Sequence, residues 1–216
     1  PDNTYLYNSR FRNQGIKFSA SYRSNKIQHI FRYQHNAEQL GIPAHVCDPT
    51  LGNIELTQIL SDEISLSEDY DLSVIRPIQN VSNHLFIYES NYFINNNKFS
   101  LHIGHFINNL KEYEKVTFPA FDMDLISTQF RLNLRKKIKD YTINIGSQAT
   151  RNSNKNYTVD YLIPDGLSSD IGLYSILDYE KNNLGFNAGA RFDFKEIVCD
   201  SYNFQNTFSS LSSSLG

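Results

Sequence analysis

Charged side chains recur at alternate positions in parts of the chain, and they are the residues best suited to bind a charged partner. Arg131 and Arg135 lie in "QFRLNLRK", Arg191 and Asp193 lie in "ARFDF", and Glu89 lies in "FIYES". Residues two or four apart in a strand share one face, so each set would present its charge to one side. Such a row could guide an anion or hold a second polypeptide. It is also the ordinary composition of a solvated sheet face, and the sequence leaves both interpretations open.

Four further residues lie in or beside the longer connections between strand-like runs, where binding residues concentrate. They are Tyr113, Arg151, Tyr157 and Tyr161. A tyrosine ring can stack on a ligand, and an arginine can pair with an anion or lie over a ring. We name these four as candidate substrate-binding residues, beside the alternative that they are ordinary loop residues.

Other chemistries find little support. The segment "HVCDP" holds His45, Cys47 and Asp48, too few ligands for a closed metal site. Cys47 and Cys199 both fall in predicted outer loops, and the sequence leaves open whether they pair. The motifs G-x-S-x-G, H-E-x-x-H, the P-loop and G-x-G-x-x-G do not occur. We therefore expect no enzyme, no metal site and no cofactor.

The composition argues against nucleic acid as a partner and against membrane-spanning helices. The 216 residues carry a net charge of -3, so no basic surface favours nucleic acid. No apolar run approaches the roughly 20 residues that a membrane helix needs. The chain has 15 Phe and 14 Tyr but no Trp, and these rings lie mostly in runs where apolar and polar residues alternate.

That alternation predicts about nine β-strands of roughly 9–15 residues, longer than the usual 5–6. "GIKFSASYR" places Ile16 and Phe18 on one face and Lys17 and Ser19 on the other. "LISTQFRLNLRK" does the same with Phe130 against Arg131. A short helix is predicted only at 56–66. The first and last runs would be the two edges of the sheet.

The predicted connections alternate between short and long. Short ones lie near residues 24–26, 95–97, 137–140 and 181–183, and long ones near 39–78, 109–121, 152–168 and 195–206. An up-and-down membrane barrel has this asymmetry, with short periplasmic turns and long outer loops. Its apolar row meets lipid and its polar row lines a wet interior. In this register Phe99 and Ile103 face lipid and Glu89 faces the lumen, whereas His105 falls on the apolar row. On this reading Arg131, Arg135, Arg191 and Asp193 also face the lumen.

Several ordered segments resemble the barrel of TonB-dependent outer-membrane receptors of the ferric-siderophore type. They include "PIQNVSNHLFIYESNYFINNNKFSLHIGHFINN", "PAFDMDLISTQFRLNLR" and "LIPDGLSSDIGLYSILDYEKNNLGFNAGARFD". The resemblance spans nearly the whole chain. It implies a 22-stranded barrel with an N-terminal plug, located in the bacterial outer membrane. It also implies uptake of a metal chelate or other large nutrient with energy relayed by TonB.

The chain departs from that pattern because no plug or TonB-contacting segment precedes Pro1 and no terminal aromatic closes the last strand. We expect residues 1–216 to be part of the barrel domain, an open, curved, all-β antiparallel segment of about nine of the 22 strands. The expected partners are membrane lipid, the chelate and, through the plug, the TonB complex. The rival hypotheses are a barrel without TonB, such as a porin or an adhesin, and then a soluble all-β binding domain.

Overall fold

The structure is a computed structural model that describes residues 11–42, 78–113, 118–159, 161 and 163–216. Nearly all of these residues lie in nine β-strands, and a single 3₁₀ turn spans Asp200–Tyr202. Over the described ranges, no helix is long and apolar enough to cross a bilayer. The helix predicted at 56–66 lies outside the described residues. The strands are β1 Phe11–Arg23, β2 Ile27–Gly41, β3 Ile78–Ile94, β4 Asn97–Tyr113, β5 Phe121–Ile138, β6 Tyr141–Asn156, β7 Gly166–Lys181, β8 Leu184–Cys199 and β9 Phe204–Leu215.

The strands form one up-and-down antiparallel sheet in the order β1 to β9. Each pairs with the next in sequence, from Phe11 opposite Leu40 at one edge to Cys199 opposite Phe204 at the other. The sheet is open, with β1 and β9 as its edges. This confirms the predicted all-β architecture, the strand number and both edges.

The connections confirm the predicted asymmetry between the two ends of the sheet. At one end, short turns occupy residues 24–26, 95–96, 139–140 and 182–183. Three of these turns use a residue in the left-handed region, namely Asn95 at φ 50°, Lys139 at 52° and Asn182 at 52°. Two-residue turns with positive φ match the twist of the flanking strands.

At the other end, which we call the loop end, the connections span residues 42–77, 114–120, 157–165 and 200–203. The last connection, at 200–203, is much shorter than the loop predicted at 195–206. The predicted bounds of that loop are therefore wrong. β8 continues to Cys199 and pairs with β9 up to Phe204. Backbone pairing does not require alternation of apolar and polar side chains, so strands continue where that pattern has ended.

Because side chains alternate across a strand and the register contains no bulge, each residue's face follows from its pairing. Phe99 lies opposite Leu134, and Leu134 lies opposite Ile145. Apolar residues lie opposite one another in this way on the same side of the sheet out to both edges. We call this side the apolar face and the opposite side the polar face. Members of the apolar face include Ile16, Phe18, Tyr22, Phe31, Tyr88, Ile103, Phe130, Leu132, Ile145, Ile171, Leu173, Phe192, Phe194 and Leu211.

The apolar face has a broad middle zone without charge. Lys136 and Lys181 bound this zone near the short turns, and Arg151 and Glu196 bound it towards the loop end. Between these limits the described strands carry no Asp, Glu, Lys or Arg on the apolar face. We call this zone the charge-free belt. It crosses all nine strands, so it is a property of the whole sheet.

The charge-free belt is not covered by other parts of the described chain. Ile145 is 52% exposed and Leu173 is 56% exposed, while Met123 is the one buried hydrophobic residue among those described. An antiparallel sheet in a soluble domain normally packs one face on a core. Here the described residues form a wall with an open apolar side and no core.

Four histidines lie on the apolar face, and each has a hydrogen-bond partner there. His29 Nδ1 lies 2.9 Å from the Tyr88 hydroxyl and His84 Nδ1 lies 2.9 Å from the Tyr33 hydroxyl. His35 Nδ1 contacts the Asn83 carbonyl at 3.1 Å, and His105 Nδ1 contacts Thr128 Oγ1 at 2.9 Å. His105 is thus compatible with the apolar row because Thr128 satisfies its ring nitrogen.

Candidate functional site

The five charged residues predicted to face the lumen all lie on the polar face. Glu89 is opposite His102, which is opposite Arg131 on the next strand, and Arg135 is opposite Lys98. Arg191 and Asp193 lie on the same side of β8, opposite Tyr174 and Gly172. These five side chains therefore share one face of the sheet, as the alternation of apolar and polar residues in the sequence predicts.

These residues do not form one continuous ladder. Glu89 pairs with Arg32 at 2.5 Å, and Asp193 pairs with Arg191 at 2.6 Å. Arg131 donates to Gln148 Oε1 at 3.4 Å. Neither Arg131 nor Arg135 forms an ion pair with a described residue. Of these five residues, Glu89, Arg191 and Asp193 are therefore neutralised in ion pairs, whereas Arg131 and Arg135 are not.

The Arg191–Asp193 pair is part of a compact cluster on β5 to β8. The Arg191 guanidinium lies 6.0 Å from the centre of the Tyr174 ring, and the Tyr174 hydroxyl donates to Asn133 Oδ1 at 3.3 Å. A shallow groove beside them is lined by Arg131, Gln148, Tyr174, Arg191 and Ser212, among others. This groove presents cations, hydroxyls and an aromatic ring to the same space.

Two glycines make the cluster possible. A Cβ on Gly172 would lie 2.5 Å from Asp193 Oδ1, and a Cβ on Gly146 would collide with the Tyr174 ring and lie 2.7 Å from the Leu132 carbonyl oxygen. Both contacts are shorter than carbon and oxygen tolerate. The absence of a Cβ thus leaves room for Arg191 and Asp193 over Gly172 and for Tyr174 over Gly146.

We expect Gly146→Ala to destabilise the full-length protein by about 1–3 kcal/mol, the usual cost of overpacking. The methyl group would force Tyr174 from its position and press on the backbone of β5. Gly104→Ala on the same face is the matched control, because its Cβ would meet no atom closer than 3.8 Å. The free energy of unfolding of both variants is measured by urea titration of the protein in lipid vesicles. Equal unfolding free energies for the two would contradict this account of the cluster.

A second polar network lies on the apolar face, between the charge-free belt and the loop end. Lys111 Nζ pairs with Asp122 Oδ2 at 2.9 Å. Asp124 accepts hydrogen bonds from Asn109 at 2.7 Å and from the Tyr157 hydroxyl at 2.9 Å. The hydrogen bond to Asp124 raises the pKa of Tyr157. The sequence contained a signal for this network, since two aspartates two apart on one strand must share a face.

The connection between β6 and β7 folds back on the end of β6. Asn154 is 9% exposed and donates to the carbonyls of Ile163 at 2.8 Å and Pro164 at 3.1 Å. The Tyr161 hydroxyl lies 3.2 Å from that of Tyr202 in the next connection, and this bond raises the pKa of Tyr161. Sequence reasoning missed these contacts, because they depend on the path of the loop.

The structure does not gather the four candidate substrate-binding residues into one site. Tyr113 is the last residue of β4, and Tyr157 and Tyr161 contact different partners. Arg151 was predicted to lie beside a long loop at 152–168, and this is wrong. β6 continues to Asn156, and Arg151 lies within the strand on the apolar face.

The described residues contain no group of three His, Cys, Asp or Glu side chains that could hold a metal ion. His45, Cys47 and Asp48 lie outside the described residues. Cys199, at the end of β8, has a free thiol.

Comparison with known proteins agrees with the architecture of the sheet. No family model and no curated protein matches the chain. Seven solved chains do match it. One is the ferric yersiniabactin uptake receptor FyuA from Yersinia pestis, with a TM-score of 0.50 and 14% sequence identity over 95% of this chain.

The fold is that of a β-barrel segment. The likeness covers 34% of the FyuA chain, so the chain spans about a third of that receptor's length. At this identity the comparison concerns the backbone alone. It supports an arc of antiparallel barrel wall, and it does not identify a family.

Proposed function

We propose that the chain is part of an outer-membrane receptor that imports a metal chelate or another large nutrient, with energy relayed by TonB. The observation that carries this proposal is the charge-free belt, which crosses all nine strands and is not covered by any described residue. An exposed apolar zone of this extent would be unfavourable in water. The hydrocarbon of a membrane is an environment that stabilises it.

The height of the charge-free belt supports a bilayer setting. Tyr141 and Arg151 are ten residues apart on β6, which corresponds to about 33 Å along a strand. A tilt of roughly 40° reduces this to about 25 Å, the height of the apolar band of outer-membrane barrels. Such bands end in aromatic rings at the interface. Near the short turns, the ring centres of Tyr141 and Tyr179 lie 4.8 Å apart.

The polar face supports transport. In a closed barrel it would line the interior, where Arg131 and Arg135 would offer unpaired positive charge. Ferric chelates are commonly anionic, and cations on a polar wall attract anions. The backbone is similar to that of a receptor whose name states uptake of a ferric chelate. The plug and the TonB contact belong to this proposal through the family resemblance, and the proposal includes no catalytic step.

A barrel without TonB, such as a porin or an adhesin, is the second candidate, because the charge-free belt and the polar wall would serve it equally. The two candidates differ in energy coupling and in whether the lumen is open. A soluble all-β binding domain is a third, and the uncovered apolar face argues against it.

Uptake measurements separate the candidates. A strain that lacks its own ferric-chelate receptors would express the full-length protein and receive ⁵⁵Fe-labelled catecholate, hydroxamate and phenolate chelates. We expect uptake of at least one chelate, with loss of uptake when TonB is deleted or the proton gradient is collapsed. Uptake that persists in both conditions, with steady ion conductance in planar bilayers, would support a porin and contradict the receptor. Absence of both uptake and conductance would contradict transport.

A further inference from the structure

A groove with polar side chains lies on the apolar face of β1 to β4, towards the loop end. Its volume is about 270 Å³. We call it the amide groove, and its lining includes Gln14, Gln39, Asn80, Ser82 and Asn109. Ala37 lies opposite Ser82 at the centre of one row across the sheet. Gln14 and Asn109 flank this pair in the same row, so two short side chains lie between two longer ones and leave a depression.

The two walls of the amide groove are engaged in hydrogen bonds of their own. On β1, the Gln14 side-chain oxygen accepts from Arg12 Nε at 2.8 Å once its amide is turned to suit that donor. On β4, Asn109 donates to Asp124 Oδ1 at 2.7 Å. Glu38 contributes to the lining, but its carboxylate lies on the polar face, where two asparagines donate to it. Among the described residues that line the groove, no carboxylate therefore lies on its side of the sheet.

The floor of the amide groove holds polar groups that the protein leaves unused. The side chains of Gln39, Asn80 and Ser82 form no hydrogen bond in the described part of the chain. Asn80 Oδ1 is shielded from solvent without a partner, although such an oxygen normally has one. Lys111 lies opposite Asn80, but its ammonium is bonded to Asp122. The last torsion of an asparagine side chain turns over a broad range, so this oxygen can swing into the groove and accept a hydrogen bond there.

We propose that the amide groove binds a sugar of a glycolipid headgroup, in the membrane leaflet at the loop end. A carboxamide offers an acceptor oxygen and two donor protons, and a hydroxyl offers both functions. Neighbouring hydroxyls of a sugar match this pattern, because each of them also donates and accepts. A phosphate group mainly accepts hydrogen bonds, and the unused side chains on the floor are all uncharged. A neutral sugar therefore suits the floor better than an anion.

The position of the amide groove on the sheet favours a sugar carried by a lipid. The inference rests on the bilayer setting of the proposed function. Tyr92 and Ser82 are ten residues apart on the apolar face of β3, which is about 33 Å along the strand and about 25 Å along the membrane normal at a tilt of roughly 40°. The groove thus lies where hydrocarbon ends and headgroups begin. Towards the short turns, the ring centres of Tyr33 and Phe86 lie 4.9 Å apart on the same face, and these rings offer an apolar surface to the acyl chains.

The test uses the full-length protein in a polyoxyethylene detergent, which carries no sugar. The protein is titrated with digalactosyldiacylglycerol, an uncharged glycolipid, and separately with phosphatidylcholine, and native mass spectrometry counts the bound lipids. We expect the glycolipid to bind at least about tenfold more tightly. Gln39→Leu/Asn80→Leu removes two amides and keeps side chains of similar size. Each lost hydrogen bond weakens binding about fivefold, so this variant should bind the glycolipid about 25-fold more weakly.

A second groove variant and a matched control complete the design. Ala37→Leu fills the depression and leaves every polar group in place, and it should weaken glycolipid binding to a similar extent. Gln28→Leu/Gln34→Leu is the control, because it removes two amides from the polar face of the same strand. It should leave glycolipid binding unchanged. The change in electrophoretic mobility on heating shows that each variant is folded.

Four outcomes would overturn the inference while leaving the proposed function intact. They are equal binding of the two lipids, equal weakening in the control, unchanged binding in both groove variants, and displacement of the glycolipid by an equal concentration of the free disaccharide of its headgroup. The last of these would assign the amide groove to a soluble sugar. Failure of the wild-type protein to insert into bilayers would instead contradict the proposed function, and the inference with it.

Discussion

Phe130→Arg is expected to lower the yield of assembled barrel far more than Gln129→Arg. Phe130 lies on the apolar face between Ile103 and Ala149 and is 38% exposed. An arginine that faces lipid near mid-depth costs about 2–4 kcal/mol. A cost of that size is a large fraction of a protein's total stability, so much of the variant should fail to assemble.

Gln129→Arg is a suitable control, since it adds the same side chain one residue away on the opposite face. Gln129 lies opposite Gly104 and Thr150 on the polar face, where Arg131 is its neighbour on the same strand. Both variants would be made in the full-length protein. The folded fraction in isolated outer membranes is read from the change in electrophoretic mobility on heating, and equal folded fractions would show that the two faces do not differ in environment.

The division of the sheet into two faces could be predicted from sequence because it depends on alternation alone. Phe130 and Arg131 are adjacent and differ strongly in hydrophobicity, so their faces follow from their positions. The register is constrained in the same way. A slip of one residue between β4 and β5 would place Ile103 opposite Gln129 or Arg131 instead of Phe130, mixing the two faces.

The strand ends towards the loops could not be predicted in this way. Beyond the charge-free belt apolar and polar residues no longer alternate regularly, as in the Ile197–Val198 pair of β8, although the backbone pairing continues. Arg151 was assigned to a loop margin for that reason, and β8 was ended too early. The sequence contained one usable signal, since Arg151 has the same parity as Ile143 and Ile145 and therefore the same face if the strand continues.

The contacts of the candidate sites were the least predictable part. The pairing of Tyr174 with the space above Gly146 requires the register of β6 and β7, which two short runs do not define alone. The bond between Tyr161 and Tyr202 joins two connections whose paths have no periodic pattern. Residue type indicated that these side chains could bind something, but it did not indicate which of them meet.

The most direct test of the central claim, that the apolar face meets lipid and the polar face meets water, is a nitroxide scan of β5 in the full-length protein. Single cysteines at successive positions from Thr128 to Arg135 would replace the native residues in a background with Cys47→Ser and Cys199→Ser. The spin-labelled protein is placed in phosphatidylcholine bilayers, and collisions with oxygen and with a water-soluble nickel chelate are measured by electron paramagnetic resonance.

We expect labels at the even positions Phe130, Leu132 and Leu134 to collide mainly with oxygen, which concentrates in hydrocarbon. The label at Thr128, opposite Arg151 at the edge of the belt, should collide with both probes. Labels at the odd positions, Gln129, Arg131, Asn133 and Arg135, should collide mainly with the nickel chelate, with a period of two residues along the strand. Similar values at all eight positions, or frequent nickel collisions at Phe130, Leu132 and Leu134, would contradict the account.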